Sequence, residues 1–182
     1  MADRDDAACP GAGERQRFHM IDVGEKAATK RRALARGRIQ MSRSAFDALR
    51  TGRNPKGDVL AQAEVAGMLA AKRTSELIPL CHPLALDQVQ LRFELVDATC
   101  SVIASCEASA TARTGVEMEA LQGVSGALLA IYDLSKAVDP VLSISDVHLS
   151  VKEGGKSGLW VHPRAPESSA SPVETDRSKR GG

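Results

Sequence analysis

In Tyr132-Asp133-Leu134-Ser135-Lys136, the carboxylate and the ammonium stand three residues apart, so on a helix they share a face. A carboxylate in that place orients the lysine and shifts its pKa, as a proton-transfer site requires. The alternative is a surface ion pair of little energetic weight. Flanking Ala, Leu and Val residues point to partial burial of the pair. A second candidate lies in Leu77-Ile78-Pro79-Leu80-Cys81-His82-Pro83-Leu84, where one histidine sits in an apolar stretch braced by two prolines. Each proline fixes its own φ and steers the residue before it away from helix, which predicts a stiff extended connection over 80–82. His82 held this way is a proton donor, a proton acceptor or a phosphate contact; otherwise it is a core histidine satisfied by a backbone partner.

Three further groups carry charge at element ends. Lys56 stands just before a predicted helix N-terminus. Glu117 is either the acid of a capping box opened by Thr114 or a functional carboxylate, and Glu119 lies two residues on at a different azimuth. Glu119 and Asp133 are separated by roughly 21 Å along a straight helix, too far for one small molecule to touch both from the same helix. Two copies of the chain, or a long substrate, resolve that distance. The loop Lys152-Glu153-Gly154-Gly155-Lys156-Ser157-Gly158 fails the Walker pattern, because position 150 is Ser where Gly is needed. It is either a plain hairpin turn or a loop whose free N–H groups and lysines grip an anion. Arg31 and Arg32 are likewise solvated charges or phosphate contacts.

The elements that must position these groups follow from periodicity. Positions 33–41 alternate apolar and polar residues as a half-buried strand does, interrupted only by Leu34. A short helix follows, with Ser44 and Asp47 as its capping pair and Gly52 as its stop. Asp58 caps an alanine-rich helix over 59–73. Two strands, 88–95 and 102–112, pair as an antiparallel hairpin through 96–99. The longest helix opens at the Thr114–Glu117 spacing and runs to about 138, burying Met118, Leu121, Val124, Leu128 and Ile131. Final strands are predicted around 142–151 and 159–162. Segregated strands and helices of this kind give an α+β layer, an antiparallel sheet with helices packed on one face.

Composition bounds the function classes. A chain of 182 residues with 43% hydrophobic content fits one catalytic domain over 18–163, between polar tails at 1–17 and 164–182 that have the make-up of disordered segments. A net charge of +1 and 3% aromatic residues argue against a nucleic-acid partner, so an anion site must be local. Cys9, Cys81, Cys100 and Cys106 form no short zinc or redox spacing, which speaks for reduced thiols in a cytoplasmic protein. No stretch approaches the length of a membrane helix, so no membrane partner is expected.

In register, the segments Lys56-Gly57-Asp58-Val59, Ala71-Lys72-Arg73-Thr74, Leu77 to Leu84, Thr114-Gly115-Val116-Glu117-Met118-Glu119-Ala120-Leu121, Tyr132-Asp133-Leu134-Ser135-Lys136-Ala137-Val138 and Gly154-Gly155-Lys156-Ser157-Gly158 closely resemble the cyclic pyranopterin monophosphate synthases, the molybdenum cofactor biosynthesis protein C family. The resemblance runs from about residue 19 to 158. It implies a ferredoxin-like fold and a lyase that converts (8S)-3′,8-cyclo-7,8-dihydroguanosine 5′-triphosphate to cyclic pyranopterin monophosphate and pyrophosphate. It implies a homo-oligomer, a hexamer built as a trimer of dimers, with active sites at subunit interfaces. No cofactor is required; Mg2+ can accompany the triphosphate, and with no carboxylate cage visible no metal ligands are assigned. Residue by residue, the resemblance makes Lys56, Lys136, Asp133 and His82 catalytic. It assigns Cys81, His82, Glu117, Met118 and Glu119 to the substrate, with Arg31, Lys152 and Lys156 on its triphosphate. The competing class is a regulatory module that binds a purine nucleotide without altering it.

Overall fold

Small apolar residues alternating with polar ones build the centre of a five-stranded antiparallel sheet, in the order β2-β3-β1-β4-β5. The computed structural model describes residues 18–156 and 158–163; both expected tails lie outside the described residues. The elements are β1 (Thr29–Gln40), α1 (Arg43–Arg50), α2 (Val59–Lys72), α3 (Thr74–Leu77), β2 (Gln88–Val96), β3 (Ser101–Ala112), α4 (Glu117–Ser135), β4 (Ser143–Glu153) and β5 (Trp160–Val161). With α4 over β1, β3 and β4, and α2 over β2 beside α4, this is a ferredoxin-like α+β fold with its helices on one face. No helix among the described residues is long and apolar enough to cross a membrane.

The expected strands and the hairpin form, the latter closing through a 3-10 turn at Asp97–Thr99 with Cys100 left-handed. Asp58 accepts from the Ala61 N–H as the cap of α2, and Gly52, at φ 66°, ends α1. Two caps differ from expectation. The cap of α1 is Ser42, whose hydroxyl accepts from the Ala45 N–H, while Asp47 pairs with Arg50 instead. The first turn of α4 has no side-chain cap, because Val116 occupies the cap position and is buried there; no capping box forms and Glu117 is left for other partners. Met118 is also not part of the buried face, which runs through Glu119, Ala120, Gly123, Val124, Ala127, Leu128 and Ile131. In β4 the apolar parity changes between Ile144 and Val147. That change is the register shift opposite Arg36 and Arg38, where Asp146 takes a φ of 54°.

The helix layer closes on glycines. A Cβ on Gly67 would meet the Gly123 carbonyl oxygen at 2.8 Å, and one on Gly126 would meet the Ala70 Cβ at 2.5 Å. One on Gly123 would meet the Cys106 Sγ at 2.3 Å, so α4 lies backbone-close to both α2 and β3. A larger side chain in this seam faces backbone that cannot yield. Gly67→Val is therefore expected to destabilise the fold by about 1–3 kcal/mol and lower Tm; an unchanged Tm would show that the helices do not pack this tightly.

Candidate active site

The first ionisable cluster forms at the C-terminal end of α4. The Lys56 Nζ donates to the Asp133 carbonyl at 3.0 Å and to its Oδ2 at 3.1 Å, while the Lys136 Nζ lies 2.6 Å from Oδ1. One carboxylate thus holds two ammoniums. The hydrogen bond from Lys136, then that from Lys56, keeps the Asp133 carboxyl below the usual carboxylate range, and the bond to Asp133 pushes the Lys136 ammonium up. The expected partial burial is not what the single chain has. The side chains of Lys56, Asp133 and Lys136 are 41%, 56% and 55% exposed, because Ile131 and Ser135 take the buried side of the last turn.

Lys56 is delivered by residues that sequence reasoning passed over. The buried Asn54 accepts the Lys56 N–H on its side-chain oxygen at 2.9 Å and the Gly57 N–H on its carbonyl at 3.0 Å. Gln62, one turn into α2, donates to the Lys56 carbonyl at 2.9 Å. Gly57, at φ 90°, completes the turn. Asn54 reads in sequence as an ordinary loop residue; an Asn three residues before Gly57 is the signal of such a turn.

At the opposite end of α4, a cavity of about 570 Å³ opens between residues 19–26, 80–84 and 114–119. Cys81, His82, Glu117, Met118 and Glu119 all line it. The stretch before His82 is bent rather than extended: the Cys81 N–H closes a turn onto the Ile78 carbonyl at 3.0 Å, with Pro79 following Ile78. The His82 Nε2 donates to the Ile21 carbonyl at 2.9 Å, so the ring has the backbone partner of a structural histidine and a place on the cavity wall. Glu119 is 4% exposed; burial pushes its carboxyl up, and Glu117 adds to the effect. Burial also raises the Cys81 thiol. His19 and Lys26 join the lining from a segment with no periodicity to announce them.

Two arginines adjacent in sequence separate in space. Arg32 is gripped by Glu107 through Nε at 2.9 Å and Nη2 at 3.0 Å, with Glu153 3.8 Å away, so it is not left for a phosphate. Arg31 falls on the opposite face of β1, the face of Ala33, whose register partner is Lys152. Lys152 in turn lies 3.6 Å from Glu117, which ties this corner of the sheet to the cavity. Lys156 is exposed on the loop beyond. The structure therefore assembles two groups, Lys56 with Asp133 and Lys136, and the cavity residues with Lys152 beside them. It does not join them in one chain: none of Lys56, Asp133 and Lys136 lines the cavity.

A ferredoxin-like α+β domain with a small-molecule cavity and a lysine-carboxylate cluster is the class these features define. The chain belongs to the MoaC family, whose model matches residues 20–155. Over 141 residues it is 55% identical to a cyclic pyranopterin monophosphate synthase of Novosphingobium aromaticivorans, covering 78% of this chain and 88% of that one. Proteins of the same name from Clostridium botulinum and Heliobacterium modesticaldum are 50% and 51% identical, over 79% and 78% of this chain and 90% and 89% of theirs.

The buried Glu119 yields a signed prediction. Its folded pKa is raised, so the native state binds the proton more tightly than the unfolded one, and stability falls as pH rises from the ordinary glutamate value through the folded one. Glu119→Gln is expected to remove that decline and to raise Tm at neutral pH relative to the parent. A parent Tm that is flat across this range, with no gain in the variant, would contradict the burial of a charge here.

Proposed function

We propose that the chain is a cyclic pyranopterin monophosphate synthase of molybdenum cofactor biosynthesis. In this reading a single catalytic domain, residues 18–163, acts in the cytoplasm and releases pyrophosphate from a cyclised dihydro-GTP. The names of relatives at 50–55% identity support it. The observation that carries its mechanism is the separation of the two ionisable groups by the length of α4, about 24 Å between Glu117 and Asp133. A site that needs both takes the cavity from one protomer and the Lys56, Asp133 and Lys136 cluster from a neighbour. A homo-oligomer, a hexamer built of dimers, supplies that geometry.

At such an interface the exposed lysines are covered, and the substrate lies between them and the cavity. Lys56 and Lys136 move the protons of purine ring opening and pterin closure, with Asp133 orienting both. His82, steadied through Ile21, and the cavity residues Cys81, Met118, Glu117 and Glu119 hold the ring system. Arg31, Lys152 and Lys156 bind the triphosphate end that departs as pyrophosphate. No cofactor enters this scheme. Mg2+ can accompany the triphosphate as part of the substrate.

Purified protein given the cyclised nucleotide should yield equal amounts of pterin product and pyrophosphate. Lys56→Ala and Lys136→Ala should each lower kcat by about 10²–10⁴-fold with Tm unchanged. Binding without release of pyrophosphate by the parent protein would leave a nucleotide sensor, and near-parental turnover by both variants would remove the lysines from the mechanism.

A further inference from the structure

The loop after β4 carries two glycines whose missing side chains do different work. Gly154 has a φ of 103°, and a Cβ there would meet the Lys30 carbonyl oxygen at 2.2 Å, which is backbone of the paired strand. Gly155 has a φ of 69°, and a Cβ there would lie 1.9 Å from the Arg31 Nη1, 2.6 Å from Cζ and 2.9 Å from Nη2. The guanidinium therefore occupies the space a side chain at 155 would fill. Its Nε is buried, and among the described residues no acceptor reaches it. The neighbouring Arg32 is engaged by Glu107, so Arg31 is the arginine of this pair for which the described residues supply no anion. Register places it on the same sheet face as Lys152, which reaches Glu117 at the cavity.

We propose that Gly155 is a positioning residue for the polyphosphate end of the substrate: by leaving its own side-chain space to the Arg31 guanidinium, it fixes that group in direction beside Lys152. The inference rests on the synthase reading for the identity of the substrate, but not for the geometry of the cradle. A planar fork aimed in advance binds phosphate oxygens with less ordering cost than a free arginine. Gly154, facing backbone, serves the fold of the loop instead.

Gly155→Ala displaces the far end of a flexible side chain, so the chain should still fold and the guanidinium should move. Against the cyclised nucleotide, KM is expected to rise about tenfold with kcat within about twofold. Inorganic pyrophosphate, titrated by calorimetry, should bind about tenfold more weakly in parallel. Arg31→Ala should give a similar loss, and Gly155→Ala/Arg31→Ala should be no worse than Arg31→Ala alone, since one residue acts through the other. Gly52→Ala, at a φ of 66° with nothing near its Cβ, measures what left-handed strain alone does to Tm. Unchanged KM and pyrophosphate affinity in Gly155→Ala, or additive losses in the double variant, would overturn the proposal. A parent protein without turnover would defeat the synthase reading, and pyrophosphate binding would then decide the cradle by itself. Should Gly155→Ala fail to fold, Arg31→Lys carries the test. Lysine keeps the charge but not the plane, so a KM equal to that of the parent would overturn the proposal.

Discussion

Everything chemical in this molecule is spaced by α4, and α4 is fixed by the absence of side chains beneath it. Gly123 lets the helix down onto Cys106 of β3, while Gly67 and Gly126 bring α2 against it at backbone distance. Close packing of this kind has few alternatives, since any sliding of the helix would drive Cβ atoms into backbone. The helix therefore acts as a ruler. Glu117 and Glu119 stand at one end, Asp133 and Lys136 at the other, and the distance between them does not relax.

The ends differ in electrostatics as well as position. At the C-terminal end a single carboxylate is shared by two lysines in solvent-exposed surroundings, so the ion pairs contribute little stability while setting direction. At the N-terminal end, Glu119 is buried against its own preference for water and shifts upward. Cys106, deeper still, has its thiol pushed up to about 12 by burial and serves only packing. One end offers ammoniums and the other carboxyls with an imidazole, so the two ends differ in the charge they present.

Much of this layer was legible in the sequence, because strand alternation and side-chain caps are local signals. Asp58 capping α2, Gly52 ending α1 and the hairpin between β2 and β3 are examples. The start of α4 was not, since the Thr114–Glu117 spacing fits a capping box and only tertiary burial of Val116 moves the cap. Met118 follows helical spacing yet turns outward, because the close approach of α2 reserves the buried stripe for Ala120, Gly123 and Ala127. The Asp133–Lys136 pair was legible as a helical spacing, whereas Lys56 joined it only through the family resemblance, which also set His82 beside them. The Asn54 and Gln62 contacts that deliver Lys56 were not legible. Those are side-chain bonds to backbone, which periodicity does not register.

The claim that the two ends of α4 serve one site in neighbouring copies has a direct test by complementation. Lys136→Ala and His82→Ala each disable one half, and each protein alone should be inactive. Mixed after reversible dissociation, they should recover a substantial fraction of parental turnover, because some interfaces then carry two intact halves. Subunit exchange without any recovery of activity would contradict a shared site.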